Sequence, residues 1–387
     1  MALLDGARSL GSKILVSGGS RCNVTNRSVS ERDFWGGRPA IIRRVLRAFP
    51  VQATVDFFRE IGVALHEEAD GKLFPDTNRA RDVLSALVAE TARVGAQIRV
   101  ACRVLAVARA GDGFALTTTQ GEVRARIVVL ATGGRSLPKS GSDGAGYEVA
   151  RALGHAIVPT TPALAPLILD DTDPLHRALS GISQPVELAI WIDGAVAIRL
   201  TGAMLWTHFG VSGPAALDAS RHVLRARLEE RPVRVTASFR PGMQLSDVDA
   251  EWTARSRSHP RTAILSLLAR DVPASVARAL LDSLAIPPGT AAAHFSRDDR
   301  RRLARALVEW PLAVVDSRGY TYAEATAGGV ALTEIDPRTL ESRVCPGLFL
   351  VGEILDVDGR IGGFNFQWAW SSGFAAGTAI AARAYNT

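Results

Sequence analysis

The sequence predicts an α/β protein in which a nucleotide-binding type of domain is interrupted by one long insertion. Three observations predict it. A β-rich run ends in paired glycines at ARIVVLATGG (residues 125–134), and a second buried run, GLFLVG (347–352), feeds another glycine-rich loop. The texture changes near Pro159, and β character returns from residue 312. At about 150 residues per domain, 387 residues make two or three units. We read residues 1–159 and 320–387 as the discontinuous nucleotide-binding domain and 160–319 as the insertion. Within the insertion, 160–242 and 311–319 form a β part and 243–310 a helical part.

The elements follow in order. Ile42, Val45, Leu46, Phe49, Val55, Phe58 and Ile61 recur at helical spacing, and Pro50 divides them into two helices. Residues 82–94 repeat the pattern, and Gly95 ends that helix. Segments 97–109, 113–119 and 122–131 read as strands, and a helix over 143–153 closes at Gly154. In the insertion, 185–191, 195–200 and 233–239 are strands, with a helix over 214–230. The apolar series Ile264, Leu267, Leu268 and Val276, Leu280, Leu281, Leu284 marks the helical part. A final helix follows the last glycine-rich loop.

Composition narrows the function classes. The chain is 47% hydrophobic and 22% charged, a globular balance that excludes disorder. Cys22, Cys102 and Cys345 form no CxxC pair, which argues against a disulfide scaffold or structural zinc and for a reducing, cytoplasmic setting. MALLDGARSL lacks the basic start and apolar core of a signal peptide. The longest uncharged run, between Arg360 and Arg383, carries Asn365, Gln367, Ser371 and Ser372, so it reads as a buried loop and helix and no membrane partner is expected. Net charge is +6, carried almost entirely by arginine, since the lysines are Lys13, Lys72 and Lys139. That charge permits an anionic partner such as RNA without requiring one.

Four motifs carry chemistry. SGGSRCNVTN (17–26) combines Gly18 and Gly19, where no Cβ blocks a flat or phosphorylated ligand, with Arg21 and the short polar arms of Asn23, Thr25 and Asn26. ATGG (131–134) turns at a strand end, which brings backbone N–H groups to a ligand, and PKSGSDGAGY (138–147) extends it into a helix start. GEILDVDGRIGGFNFQWAWSSG (352–373) runs from a strand through Glu353, Asp356 and Asp358 to Gly362, Gly363 and a helix whose N-terminus carries partial positive charge. A calcium loop is rejected there, because the DxDxDG pattern and its closing Glu are absent, and no other metal site is expected. THFGVSGP (207–214) offers His208 as an acid or base and Ser212 as an N-cap. No nucleophile elbow, P-loop or HExxH motif occurs, which leaves hydrolase and kinase readings without support.

Taken in order, these motifs resemble the YhiN/BaiN-like FAD-binding flavoproteins over essentially the whole length. SGGSRCNVTN is similar to that family's SGGGRCNxTN, with Ser20 where glycine is usual. KLFPDTNRARDVLSAL, ATGGRSLPKSGSDGAGY, THFGVSGPAALDAS, AGGVALTEIDPRTLES and GEILDVDGRIGGFNFQWAWSSG fall in the family's order. The resemblance implies an FAD-binding Rossmann-like domain interrupted by a β-barrel plus helical insert. It also implies a strand and a GxGxxG turn ahead of MALLDGARSL; this sequence shows neither, which leads us to expect an unpaired slot in the sheet. Asp5 is then expected at the adenosine ribose. Gly18, Gly19, Arg21, Cys22 and Asn23 are expected beside the flavin, and Ala131, Thr132 and Gly133 along the FAD. Gly352, Glu353 and Asp358 are expected at the pyrophosphate and ribityl chain. Gly363, Asn365 and Gln367 are expected near the pyrimidine edge of the flavin.

The activity implied is reduction of an electron-poor C=C bond by flavin, with NAD(P)H as electron donor. Dihydrouridine formation in large-subunit ribosomal RNA is the leading substrate reading, because Arg43–Arg47 and Arg297–Arg305 are arginine-rich. A steroid-like enone is the small-molecule alternative, and oxidation of an amine another. A non-catalytic, cofactor-poor RNA-binding protein is a third. Cys22 is the first expectation for the proton donor and His208 the second, although Arg21 beside Cys22 should favour the thiolate.

Overall fold

The computed structural model describes residues 1–173 and 175–384, so Pro174 of the insertion and the last three residues of the predicted 320–387 segment lie outside it. Its internal contacts divide the chain into two compact units, Met1–Thr161 with Glu324–Thr387, and Pro162–Ala323.

In the first unit, Pro39–Ala48 and Val51–Glu60 are helices separated at Pro50, and they bury Ile42, Val45, Leu46, Thr54 and Phe58. The predicted strand 97–109 is two strands, Gln97–Arg99 and Val104–Ala110. The chain turns between them at Ala101 (φ 53°), and the Cys102 N–H donates to the Asp5 carbonyl at 2.8 Å. The predicted strand 122–131 also splits, because the chain changes sheets. Gly121–Ala125 closes an antiparallel meander with Val104–Ala110 and Gly113–Thr118, whereas Val128–Leu130 pairs in parallel with Leu348–Leu350. Ala2–Leu4 pairs in parallel with Gln97–Arg99.

Among the described residues these parallel strands stay as two separate pairs, so Ala2–Leu4 and Val128–Leu130 each keep an unpaired edge. Leu3 and Val129, in the middle of those strands, are 42% and 43% exposed, although apolar strand centres are ordinarily covered. The core of this unit gathers Ile42, Phe114, Leu130, Leu348, Phe349, Leu350, Phe364 and Trp368. A smaller cluster holds Cys22, Val24, Phe58 and Val83.

In the second unit, seven antiparallel strands lie in the order 310–312, 233–238, 183–192, 195–207, 210–212, 167–169, 314–317. The two edge strands, Trp310–Leu312 and Val314–Ser317, are separated in the chain only by Ala313. The sheet therefore curls until its edges come together. Pro214–Leu228 crosses this sheet, with Pro214 in its first turn. Its N-cap is Gly213 (φ 84°), which corrects the expectation for Ser212; Ser212 instead ends the strand Gly210–Ser212. The sheet and the helices Leu245–Ser258, Ile264–Leu268, Ala274–Ser283 and Arg297–Val308 share one core, with Leu188, Trp206, Trp252, Leu267, Leu280 and Leu303 fully buried. Arg240 and Arg255 both bond Glu251 and Asp271, which pins the helical part from within. No helix among the described residues is long and apolar enough to cross a membrane.

His222 on the helix Pro214–Leu228 is pushed down to about 3, first by loss of hydration and then by the positive charge of Arg221. Because the folded pKa lies below the unfolded value near 6.5, the unfolded chain binds the extra proton between pH ~6.5 and ~3. Stability from this group is thus complete above pH ~6.5 and falls by about 1.4 kcal/mol per pH unit on acidification through that window. Urea denaturation as a function of pH should show this slope, and His222→Gln should flatten it.

Candidate active site

Motifs that lie far apart in the chain converge at the Glu353 carboxylate. Glu353 is half-buried in a short helical turn, Gly352–Ile354, that follows the strand Leu348–Leu350. Its Oε2 accepts from Lys13 Nζ at 2.5 Å. Its Oε1 accepts from Ser136 Oγ at 2.9 Å and from the Thr326 N–H at 2.8 Å. Lys13 Nζ also donates to Ser136 Oγ at 2.7 Å. Thr326 Oγ1 accepts from the N–H groups of Arg135 and Ser136 at 2.8 and 3.1 Å. Gly134 sits where a Cβ would lie 2.5 Å from Thr326 Oγ1 and 2.9 Å from Glu353 Oε1, so only glycine lets the ATGG turn approach this junction. Lys13 and Thr326 were not singled out in the sequence. Their signal was a lysine in an arginine-rich chain and a threonine immediately before the AGGV motif.

Lys13 lies one helical turn before Ser17, where the helix that starts at Ser12 breaks. Ser17 is extended (ψ 147°), and Gly18, Gly19, Ser20 and Cys22 all have positive φ, from 55° to 68°. The result is an exposed backbone loop, and nothing lies within 4 Å of a Cβ built on Gly19. The loop continues into Thr25–Asn26, which pairs with Leu73 and Lys72.

This loop packs directly against the third motif. A Cβ on Gly363 (φ 93°) would lie 2.5 Å from the backbone C and O of Thr25. Asn26 Nδ2 donates to the Gly362 carbonyl at 3.1 Å, and Trp370 Nε1 to the Val24 carbonyl at 2.9 Å. The helix Phe364–Ala384 therefore starts beside the 17–26 loop.

The predicted site residues differ in exposure and in how far their polar groups are used within the protein. Gly18, Gly19, Ala131 and Thr132 are exposed, and Gly133 is half-buried. Asn23 is 8% exposed and its Oδ1 has no hydrogen-bond partner, so a buried acceptor in this loop awaits a donor. Asp5 is half-buried and accepts from the Ala7 N–H at 2.7 Å. Gln367 has its side-chain amide taken up by protein groups. Its Oε1 accepts from Thr25 and Thr54, and its Nε2 donates to the Phe49 carbonyl and Ser371, so its amide is fully used within the protein. Asn365 likewise closes onto the N–H and carbonyl of Gly359. Asp358 is buried at 1% in a strand paired with Phe34–Gly36. Gly352 is buried, and its carbonyl and N–H are held by Trp368 and Ser372.

Two expectations for Cys22 change. Arg21 does not favour a thiolate, because its guanidinium pairs with Glu68 at 2.5 Å and stacks over Phe74. Burial pushes the Cys22 thiol up to about 11, and the side chain is wholly enclosed. His208, in the other unit, is exposed, and its ring meets Phe209 edge-on at 5.1 Å.

A cleft of about 660 Å³ adjoins the 131–147 loop. Arg103, Arg135, Tyr147, Arg151, Ile157 and Thr160 are among its lining residues. Its charges are largely matched locally, with Arg103 on Asp143 and Arg151 bonded to Glu148.

The model for the HI0933-like protein Rossmann domain matches residues 1–379. The chain belongs to that family, the flavin-dependent oxidoreductases that its motifs resemble. It is 33% identical over 381 residues to the 3-dehydro-bile acid delta(4,6)-reductase of Clostridium scindens, covering 98% of this chain and 92% of that protein. It is 33% identical over 383 residues to the ribosomal RNA dihydrouridine synthase of Escherichia coli, covering 96% and 90%. The corresponding Haemophilus influenzae enzyme is 30% identical over 384 residues, covering 98% and 92%.

The contact between Gly363 and Thr25 yields a test. Gly363→Ala forces a Cβ onto the Thr25 backbone at a positive φ, a strain of about 1–3 kcal/mol before any clash is relieved. The variant should lower Tm by several degrees and lose bound flavin on gel filtration; retention of both would refute the close packing.

Proposed function

We propose that this chain is an FAD-dependent reductase of an electron-poor C=C bond, driven by NAD(P)H, with uridine in large-subunit ribosomal RNA as its substrate. The observation that carries the reaction class is the agreement of two relatives. A dihydrouridine synthase and a delta(4,6)-reductase both act at C=C bonds, and this chain is 33% identical to each.

The residues fit a flavin. Asn23 Oδ1 is a buried acceptor suited to an N–H of the flavin ring. The exposed Gly18–Gly19 backbone accepts a flat ring without Cβ interference, and the N-terminus of Phe364–Ala384 supplies partial positive charge. Ala131, Thr132 and Gly133 offer backbone groups along the cofactor, and Glu353 offers carboxylate oxygens to ribityl hydroxyls. Asp5 is the residue assigned to the adenosine ribose. Bound FAD supplies hydride transfer; holding, orienting and proton supply fall to the protein.

The RNA reading rests on exposed guanidinium groups. Arg44 and Arg47 on one helix, and Arg297, Arg301 and Arg305 on another, are exposed and have no ion-pair partner among the described residues. Arg43 and Arg300, by contrast, are paired with Glu31 and Asp249. Unpaired arginines along a helix face are suited to phosphates. The steroid-like enone is the second reading, supported by the match to the bile-acid reductase.

The test is the visible spectrum of the purified chain. Flavin bands should bleach anaerobically with NADH or NADPH. Their recovery on adding a uridine-containing fragment of large-subunit rRNA, with loss of uridine, supports the RNA reading. Recovery only with a 3-oxo-4-ene steroid moves the substrate to a small molecule. Recovery only in air, with peroxide formed from an amine, contradicts the reductase reading. Absence of flavin together with rRNA binding favours a non-catalytic RNA-binding protein.

A further inference from the structure

One short strand of the 162–323 unit holds two loops together. Leu167–Leu169 lies in the sheet between Gly210–Ser212 and Val314–Ser317. On one side, His208 and Phe209 form the two-residue turn between Ala195–Thr207 and Gly210–Ser212, and the Leu169 N–H donates to the Phe209 carbonyl at 3.1 Å. Gly210 (φ 148°) lets this turn press on the strand, since a Cβ there would lie 2.3 Å from the Leu167 carbonyl oxygen. On the other side, the Arg318 N–H donates to the Pro166 carbonyl at 2.9 Å. The chain then turns at Gly319 (φ 65°), whose carbonyl accepts from the N–H groups of Tyr322 and Ala323 at 3.1 Å. That turn brings Tyr322 back against Arg318.

The side chains gathered in this way form one surface. The Arg318 guanidinium carbon lies 4.7 Å from the centre of the Phe209 ring and 3.6 Å from that of Tyr322. Both distances fall within the cation–π range of about 6 Å. His208 meets Phe209 edge-on at 5.1 Å. His208 is exposed and Tyr322 is 48% exposed, so much of the Tyr322 ring stays open to solvent. No carboxylate pairs with Arg318 among the described residues. The neighbouring Asp316 accepts from the Ser317 N–H at 2.7 Å instead. An uncompensated guanidinium held against two rings suits an anion, and an open ring suits a flat partner. The phosphate and base of an unpaired nucleotide supply both. An acidic peptide answers the charge alone, and a duplex keeps its base faces stacked away.

We infer that His208, Phe209, Arg318 and Tyr322 form a binding platform for single-stranded RNA. An unpaired base stacks on the open Tyr322 ring, Arg318 meets the adjacent phosphate, and His208 stands at the rim. The inference rests on the RNA reading above and adds an aromatic contact, held by the sheet of the insertion, to the exposed arginines already named. It gives His208 a binding task in place of the proton transfer expected from the sequence.

The experiment is binding of a short fluorescein-labelled oligouridine to the full chain, followed by anisotropy over a range of salt. The unaltered chain should bind this single strand more tightly than the same oligomer annealed to oligoadenosine. Tyr322→Ala should raise Kd about 5- to 100-fold, and Tyr322→Phe should restore it, because the ring is what stacks. Arg318→Ala should raise Kd and reduce the slope of log Kd against log salt by about 0.7, the loss of one phosphate contact on a single strand. Arg318→Lys should keep that slope and bind more weakly, since lysine keeps the charge and loses the planar stack. Tyr322→Ala, at an exposed position, should melt at the Tm of the unaltered chain. Unchanged affinity in both Tyr322→Ala and Arg318→Ala would overturn the platform and leave the RNA reading to the other arginines. Failure of the unaltered chain to bind the single strand would overturn the platform, and failure to bind the rRNA fragment as well would overturn the RNA reading with it. Weaker binding that comes with a changed sedimentation coefficient would mark the surface as a contact between copies of the chain and overturn the assignment.

Discussion

The Glu353 carboxylate joins three parts of the chain that have no sequence proximity. Lys13 comes from the first helix, Ser136 from the loop after ATGG, and Thr326 from the strand that re-enters the unit. Each bond is charge-assisted on at least one side, and the Lys13–Glu353 pair is only partly open to water. Removing the carboxylate would strand a half-buried ammonium and free a backbone N–H, so the loss exceeds that of a surface ion pair. The junction needs a residue without a side chain at Gly134, and it fixes where the 131–136 turn can lie.

A second contact depends on the first. Gly352, next to Glu353, is held by Trp368 and Ser372 of the last helix, and the start of that helix lies against Thr25 through Gly363. Lys13 reaches the same loop from the other side, one turn ahead of Ser17. The segment Gly18–Cys22, left-handed except at Arg21, is thus held at both ends, while its middle keeps an open face. A held frame around an exposed backbone is what a flavin-dependent oxidoreductase asks of its protein, because the hard chemistry belongs to the cofactor.

Much of this was legible in the sequence. Helices with a strong apolar face, such as those split at Pro50, were read nearly to the residue because period and punctuation agree. The motif order identified the family, and the glycine pairs marked the close approaches. What escaped were features set by partners distant in sequence. Nothing local shows that 97–109 and 122–131 change sheets partway, since β character continues through both breaks. The amide of Gln367 looks like a ligand-facing group until Thr25, Thr54, Phe49 and Ser371 are seen to occupy it. Arg21 beside Cys22 suggested a thiolate, but the guanidinium pairs with Glu68, a partner distant in sequence.

The central claim is that Glu353 assembles the site from its separate segments. Hydrogen exchange of Glu353→Ala, resolved to peptides, tests it most directly. Loss of protection together at Ser12–Ser20, around Arg135–Ser136 and at the start of Ala325–Val330, with the 162–323 unit unchanged, is the predicted result. Loss confined to the peptide that contains residue 353 would contradict the account.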